Sequence, residues 1–225
     1  MHDLRYATRV LRKSLGHSTV AVLSLALGIG SSTAIFSVVY GVLISPYPYA
    51  RPSEIWATQV RDPKAPNQGW TRHRLSEIAQ IRALPAVADL MATDPGNQLL
   101  TGGRTLENFT AIEVTANAFQ FLEVPPVLGR TILPGDVKPN GDAEPVVVLT
   151  YKAWQRLFDG SPNAIGQTIV LNDVRRTVIG VMPSRFGWWT GDGGWVPMPV
   201  DLRADRMVND IVRLRPGVSK EVAEQ

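Results

Sequence analysis

Hydrophobic and polar positions change rhythm sharply along the chain, and the change divides it. From Ser18 to Ala50 the run STVAVLSLALGIGSSTAIFSVVYGVLISPYPYA contains no Lys, Arg, Asp or Glu. A bilayer core is about 30 Å thick and an α-helix rises about 1.5 Å per residue, so about 20 apolar residues cross it. A charge at the centre of such a helix costs about 2.5–3.5 kcal/mol on insertion scales, which gives the missing charges physical meaning. The pattern predicts a transmembrane helix within 18–45, running from about Thr19 to Ile44. Pro46 and Pro48 stop it, and Tyr40, Tyr47 and Tyr49 suit an amphipathic outer belt. A signal peptide has an apolar region of only about 7–15 residues followed by a small-residue cleavage site. Here the run is longer and no A-x-A triplet follows it.

Before the span, residues 1–17 carry Arg5, Arg9, Arg12 and Lys13 against Asp3 alone. Leu4, Ala7, Val10 or Leu11, and Leu15 recur at helical spacing, which predicts a short amphipathic helix on the membrane surface. The basic side of a span stays in the cytoplasm, so everything after about residue 46 is expected outside. Within the span, Ser24, Gly28 and Ser32 form one stripe of small residues, and Ala26, Gly30 and Ala34 a neighbouring one. Such stripes let helix backbones approach closely, so this helix is read as packing against other protein.

Beyond the span the rhythm shortens. Strands are predicted at Ser53–Val60, Val87–Thr93 and Val146–Thr150, with a helix over Thr71–Ala83. Asn97–Thr101 and Thr105–Glu113 flank Gly102-Gly103, and Gln167–Leu171 and Val174–Met182 flank Asn172-Asp173, two hairpin signatures. Thr115 is placed to cap a short helix ending at Leu122, and Tyr151–Phe158 reads as a helix with Trp154 and Phe158 on one face. Ile211–Leu214 is a last strand. Ser219 caps a helix that has hardly begun at Gln225, so the sequence reads as a portion of a longer protein.

Composition narrows the function classes. The chain of 225 residues has a formal charge of +3, with its Lys and Arg scattered, which is no footprint for nucleic acid. Without cysteine there is no disulfide, thiolate metal site or Cys nucleophile. G-x-x-x-x-G-K-[ST] and G-x-S-x-G do not occur. His2, His17 and His73 are far apart and read as solvated or interface residues, so no metal, cofactor or catalytic residue is assigned. Asp136, Asp142 and Glu144 sit in a Pro/Gly-rich loop and read as solvated. The segment Phe186–Trp195, rich in Gly and Trp, either displays Trp188, Trp189 and Trp195 to a partner or substrate or plugs a seam in the fold, and packing is the favoured reading.

Several long motifs resemble the permease subunits of MacB/FtsX-type ABC transporters. They are LALGIGSSTAIFSVVYGVL in the span, VTANAFQFLEVPPVLGRTILPGD from Val114, VVVLTYKAWQRLF from Val146, IGQTIVLNDVRRTVIGVMP from Ile165 and VRLRPGVSKEVAEQ from Val212. LISPYPYARPSEIW departs from the family's usual turn at Ser45 and Tyr47. The resemblance implies an α+β fold, with one amino-terminal transmembrane helix and then an extracytoplasmic, MacB-like periplasmic core domain over 46–225. About 50–114 and 205–225 would be its porter-like αβ part, incomplete here, and about 115–204 an inserted, mostly β, sabre-like part.

The same resemblance implies a membrane-spanning permease subunit of the bacterial cytoplasmic membrane that is no enzyme itself. Its expected partners are a separate ABC ATPase, a second permease copy or paralogue, membrane lipid and a periplasmic adaptor, with no nucleic acid. ATP hydrolysis on the ATPase would move the outer domain for export or efflux. The other reading is a single-span, membrane-anchored adaptor or sensor without transport activity.

Overall fold

The computed structural model describes residues 15–39, 49–62, 65–70, 72–101, 106–187, 190–200 and 206–218. The chain forms two compact units, Met1–Pro46 and Tyr47–Gln225. In the first, helix α1 (Leu15–Val39) has no acidic residue in its first turn and no basic one in its last. Its stretch Thr19–Ser37 has a mean hydropathy of 1.8 and is long and apolar enough to cross a membrane. Every side chain from Thr19 to Ser37 is exposed. That is the expected state of an apolar helix with no amphipathic side whose solvent is lipid. The amphipathic segment predicted before it, up to residue 14, and the predicted stop at Pro46 and Pro48 lie outside the described residues.

The second unit begins with short strands β1 (Ile55–Ala57), β2 (Val60–Asp62), β3 (Ala65–Trp70) and β4 (Arg72–Arg74), then helix α2 (Ile78–Arg82). The long strands β5 (Val87–Thr101) and β6 (Glu107–Val114) follow, then α3 (Ala118–Leu122), β7 (Leu128–Gly129), β8 (Val146–Leu149) and α4 (Tyr151–Phe158). The chain continues through β9 (Thr168–Leu171), β10 (Val174–Val181), β11 (Gly193–Pro197) and β12 (Met207–Leu214). β2 and β3 form a hairpin of their own, and the other ten strands make one sheet.

Part of that sheet closes on itself. β5 pairs with β6, β6 with β11, β11 with β8, β8 with β10, β10 with β9, and β9 returns to β5. A six-stranded ring results. Directly paired residues point to the same face, so the register fixes its inside: Leu100, Phe109, Ala111, Val196, Val147, Leu149, Val178, Ile169 and Leu171. Apart from half-buried Leu100 these are buried, and they pack with Ala153 and Trp154 of α4 as one core. A second core lies against the outer wall, where Ile112, Val114, Val148 and Trp195 meet α3 and the loop residue Phe186. In the third, Leu90 and Ala92 of β5 meet Val208 and Val212 of β12 under Leu75 and Ile78.

β5 serves both layers. Its first half pairs with β12 through Thr93, and its second half lies in the barrel. The sequence predicts two strands, 87–93 and 97–101, because Pro95 and Gly96 intervene. Pro95 is tolerated because β12 pairs only up to Thr93 and the bonds toward β9 begin at Leu99, which exchanges hydrogen bonds with Asn172, so Pro95 itself lies where β5 is laddered to β6 alone.

Three local expectations change. Thr71–Ala83 is not one helix: β4 is captured by β12, a 3-10 turn covers Leu75–Glu77, and only Ile78–Arg82 is α-helical. Glu77 Oε2 accepts the Arg74 N–H at 3.1 Å, which starts the turn there. Thr115 does not cap α3 with its side chain, because its hydroxyl accepts the Ala92 N–H at 3.0 Å across β5. β12 starts at Met207, four residues before the predicted strand. The hairpin at Asn172-Asp173 forms as expected, with φ of 48° and 64°, the left-handed pair a tight turn needs.

Candidate functional site at the root of the outer domain

The chain enters the second unit beside its last strand. β1 pairs antiparallel with β12, Ile55 opposite Arg213 and Trp56 opposite Val212. In the apolar run Ile-Val-Arg-Leu, Arg213 is 5 % exposed, so its guanidinium must find acceptors inside the protein. It finds three carbonyls. Nη1 donates to Ala50 O at 3.1 Å and Arg51 O at 3.4 Å, and Nη2 to Phe121 O at 2.6 Å. The guanidinium also lies 4.9 Å from the Phe121 ring centroid, over its face, and Glu54 Oε2 is 3.5 Å from Nη1. One buried cation thus ties the incoming backbone, α3 and the final strand together.

The neighbours reinforce this knot. Ala50 N–H donates to Leu122 O at 3.2 Å, so the segment is also bonded to the end of α3. Arg51 takes a left-handed φ of 49°, which turns the chain into the 3-10 turn Pro52–Glu54, and its guanidinium pairs with Glu123. Tyr49 is buried, its ring edge-on to Phe186 at 5.6 Å. Phe186 stacks with Phe119 at 5.9 Å and meets Trp195 at 5.0 Å. Pulling on residue 49 therefore pulls on an aromatic cluster in the core.

Trp195 is 1 % exposed and belongs to that cluster, so it presents no surface to a partner in this structure. Trp188 and Trp189 lie outside the described residues. Ser24, Gly28 and Ser32 lie along one shallow groove of α1 with Leu25, Ile29 and Thr33. A Cβ built on Gly28 or Gly30 meets nothing within 4 Å, so that side of the helix is open to a neighbour. Ala26 and Ala34 are exposed on the same helix. The Ser31 hydroxyl returns to Gly28 O at 3.2 Å, within the helix.

Two polar clusters were not legible as such in the sequence. His73 of β4 is not solvated: its side chain is 11 % exposed, and Nδ1 meets Oδ1 of the fully buried Asp210. The Thr58 hydroxyl donates to Asp210 Oδ2 at 2.5 Å and lies 3.3 Å from the same His73 nitrogen. In a nucleophilic triad the second ring nitrogen faces the hydroxyl, so this geometry is structural. It pins the segment after β1, β4 and β12 to one another. Asp136 is likewise not a solvated loop residue. It is 6 % exposed and takes a bidentate pair from Arg130 at 2.6 and 2.8 Å. That pair, with the Leu133 N–H, holds its carboxyl below the usual carboxylate range despite burial. Among the described residues no group of three His, Cys, Asp or Glu is placed to hold a metal ion.

The profile of the family described as "MacB-like periplasmic core domain" matches residues 18–225, nearly the whole chain. The chain belongs to the MacB-like periplasmic core domain family. Solved structures agree on the fold. The periplasmic region of MacB from Actinobacillus actinomycetemcomitans superposes with a TM-score of 0.55 at 18 % identity, covering 67 % of this chain and 69 % of that one. The extracellular domain of the noncanonic ABC-type transporter YknZ from Gram-positive bacteria gives 0.55 at 12 %, covering 76 % and 86 %. A domain of a putative permease protein from Porphyromonas gingivalis gives 0.55 at 16 %, covering 77 % and 80 %. No curated protein matches. Family membership makes this chain a component of the ABC-type transporter permease class. With α1, it describes a membrane-anchored protein carrying an extracytoplasmic MacB-like domain.

Proposed function

We propose that this permease chain works mechanically, relaying movement of membrane helices to the outer domain during export, with ATP hydrolysed by a separate ATPase subunit. The observation that carries the reading is Arg213. A guanidinium bonded to Ala50 O, Arg51 O and Phe121 O ties the segment at residues 50–51 and α3 to β12. A displacement arriving along the backbone at residue 49 then reaches β12 and the aromatic cluster without a compliant step between.

In this reading Arg5, Arg9, Arg12 and Lys13 keep the amino terminus in the cytoplasm, beside the ATPase, and the bacterial cytoplasmic membrane holds α1. Ser24, Gly28 and Ser32, with Ala26, Gly30 and Ala34 on the adjoining stripe, seat α1 against other permease helices, including those of a second copy or paralogue. Residues 50–114 and 205–225 act as the porter-like part and 115–204 as the sabre-like part, with an adaptor outside as a further partner. The test is Arg213→Met in the assembled transporter with its ATPase. Export falls while ATP hydrolysis continues. Export at the wild-type rate by a correctly folded R213M transporter overturns the reading. Gly28→Leu on α1 is expected to abolish co-purification with the other subunits while membrane insertion stays intact.

A further inference from the structure

β1 and β4 are two pieces of one edge. β5 occupies one side of β12, and along the other side Ile55, Trp56 and Ala57 stand opposite Arg213, Val212 and Ile211, while Arg72, His73 and Arg74 stand opposite Asn209, Val208 and Met207. Only Asp210 lies between the two registers, and the position after Ala57 sets Thr58 beside it. Residues 59–71 are therefore an excursion from what would otherwise be a single strand. The excursion carries the β2–β3 hairpin, which is laddered only to itself. Two strands alone are marginal in water, so the hairpin depends on how its root is held.

A buried carboxylate holds it. Alternation puts Asp210 on the face of Val208 and Val212, within the third core, where its side chain is 0 % exposed. An uncompensated charge there is costly. Its two oxygens take one group from each end of the excursion: the Thr58 hydroxyl donates to Oδ2 at 2.5 Å, and His73 Nδ1 meets Oδ1. Among the described residues Asp210 is the one acid that touches the His73 ring. The other charges on the elements around it are engaged elsewhere: Arg72 with Asp94, Arg206 with Asp94 and Glu113, Arg82 with Asp89, and Glu77 with the Arg74 N–H. Arg213 of β12 is taken by its carbonyls and Glu54, and Arg74 alternates to the face opposite His73.

Imidazole is the side chain that changes charge between about pH 5 and 8, and an extracytoplasmic domain meets the external pH directly. A charged His73 makes an ion pair with Asp210. A neutral one supplies only an N–H, and the buried carboxylate is left with two neutral donors. We propose that Asp210, with Thr58 on one side and His73 on the other, is a proton-operated latch that fastens the β2–β3 hairpin to the edge of the sheet. The latch is tight at acid pH and loosens as the ring loses its proton. The hairpin then frays from its root as pH rises, while the sheet behind it stays paired.

The test is hydrogen exchange of the full chain in detergent micelles, at about pH 5.5 and about pH 8, with wild type beside His73→Gln, whose side chain is a neutral donor throughout. The ratio of the two exchange rates at each pH cancels the intrinsic pH dependence of exchange. Over residues 60–70, H73Q is expected to exchange about tenfold faster than wild type at the acid pH and about equally at the alkaline one, as the loss of a charge-assisted bond requires. Leu90–Thr93 keeps its protection in both chains. In wild type the hairpin's protection follows the titration of the His73 ring resonance, which is assigned among the three histidines by its absence from H73Q. A ratio that is the same at both pH values overturns the latch. So does a hairpin response that fails to track the ring in wild type, a measurement that needs no variant. Loss of protection at Leu90–Thr93 to the same extent as in the hairpin also overturns it, because the effect is then one on the whole domain.

Discussion

Arg213 was visible in the sequence only as an interruption, a charge inside Ile-Val-Arg-Leu where a buried strand should be apolar throughout. Its three carbonyl partners come from segments more than 90 residues away in sequence, and no local pattern connects them. Replacing it by Met keeps the stem and orphans those carbonyls, each at about 1–3 kcal/mol. Urea unfolding of the full chain in detergent is expected to show a loss of at least about 2 kcal/mol. Asp136 gives a pH effect of known sign. Its pKa is lower in the folded chain than in the unfolded one, so its contribution is complete above about pH 4 and is lost as pH falls through the folded value. Asp136→Asn should leave a stability profile with a shallower acid limb, measured by denaturant midpoints from pH 6 downward. Thr150 caps α4 by accepting the Ala153 N–H at 3.1 Å and also takes the Gly193 N–H at 3.2 Å. Thr150→Ala should cost about 1 kcal/mol or more in the same assay.

Elements with a strong period were legible: α1 by its uncharged run, α4 by Trp154, the β9–β10 hairpin by Asn172-Asp173. What failed was the edge between elements. The charged run Thr-Arg-His-Arg before Leu75 carries a helical spacing, yet β12 offers it a ladder and takes β4 out of the helix. Barrel closure also has no local signal, because β9 meets β5 across 69 residues of chain. A glycine marks where β7 runs against the barrel wall. At Gly180 a Cβ would lie 2.0 Å from Arg130 O, where the backbone of the residue after β7 crosses β10. Gly180→Ala must push those backbones apart and should destabilise the domain by about 1–3 kcal/mol, read as a lower unfolding midpoint. The candidate site was half legible. The small-residue stripes of α1 stand in the sequence itself, whereas the junction at Arg213 needed the register to appear.

Across the whole molecule, the strongest predictor was the order of long motifs, which placed an apolar span before a MacB-like domain, and the family match over residues 18–225 agrees with it. The sheet itself adds a dynamic consequence. β5 runs unbroken for 15 residues and is hydrogen-bonded into both the β12 layer and the barrel. Hydrogen exchange should therefore be slowest at Leu90–Thr93 and Ile112–Val114, and these two stretches should exchange together. A strand shared in this way acts as a common girder. The two halves of the head cannot swivel against each other without shearing ladders on both flanks, so the mechanical role proposed above requires the head to travel as a single stiff piece.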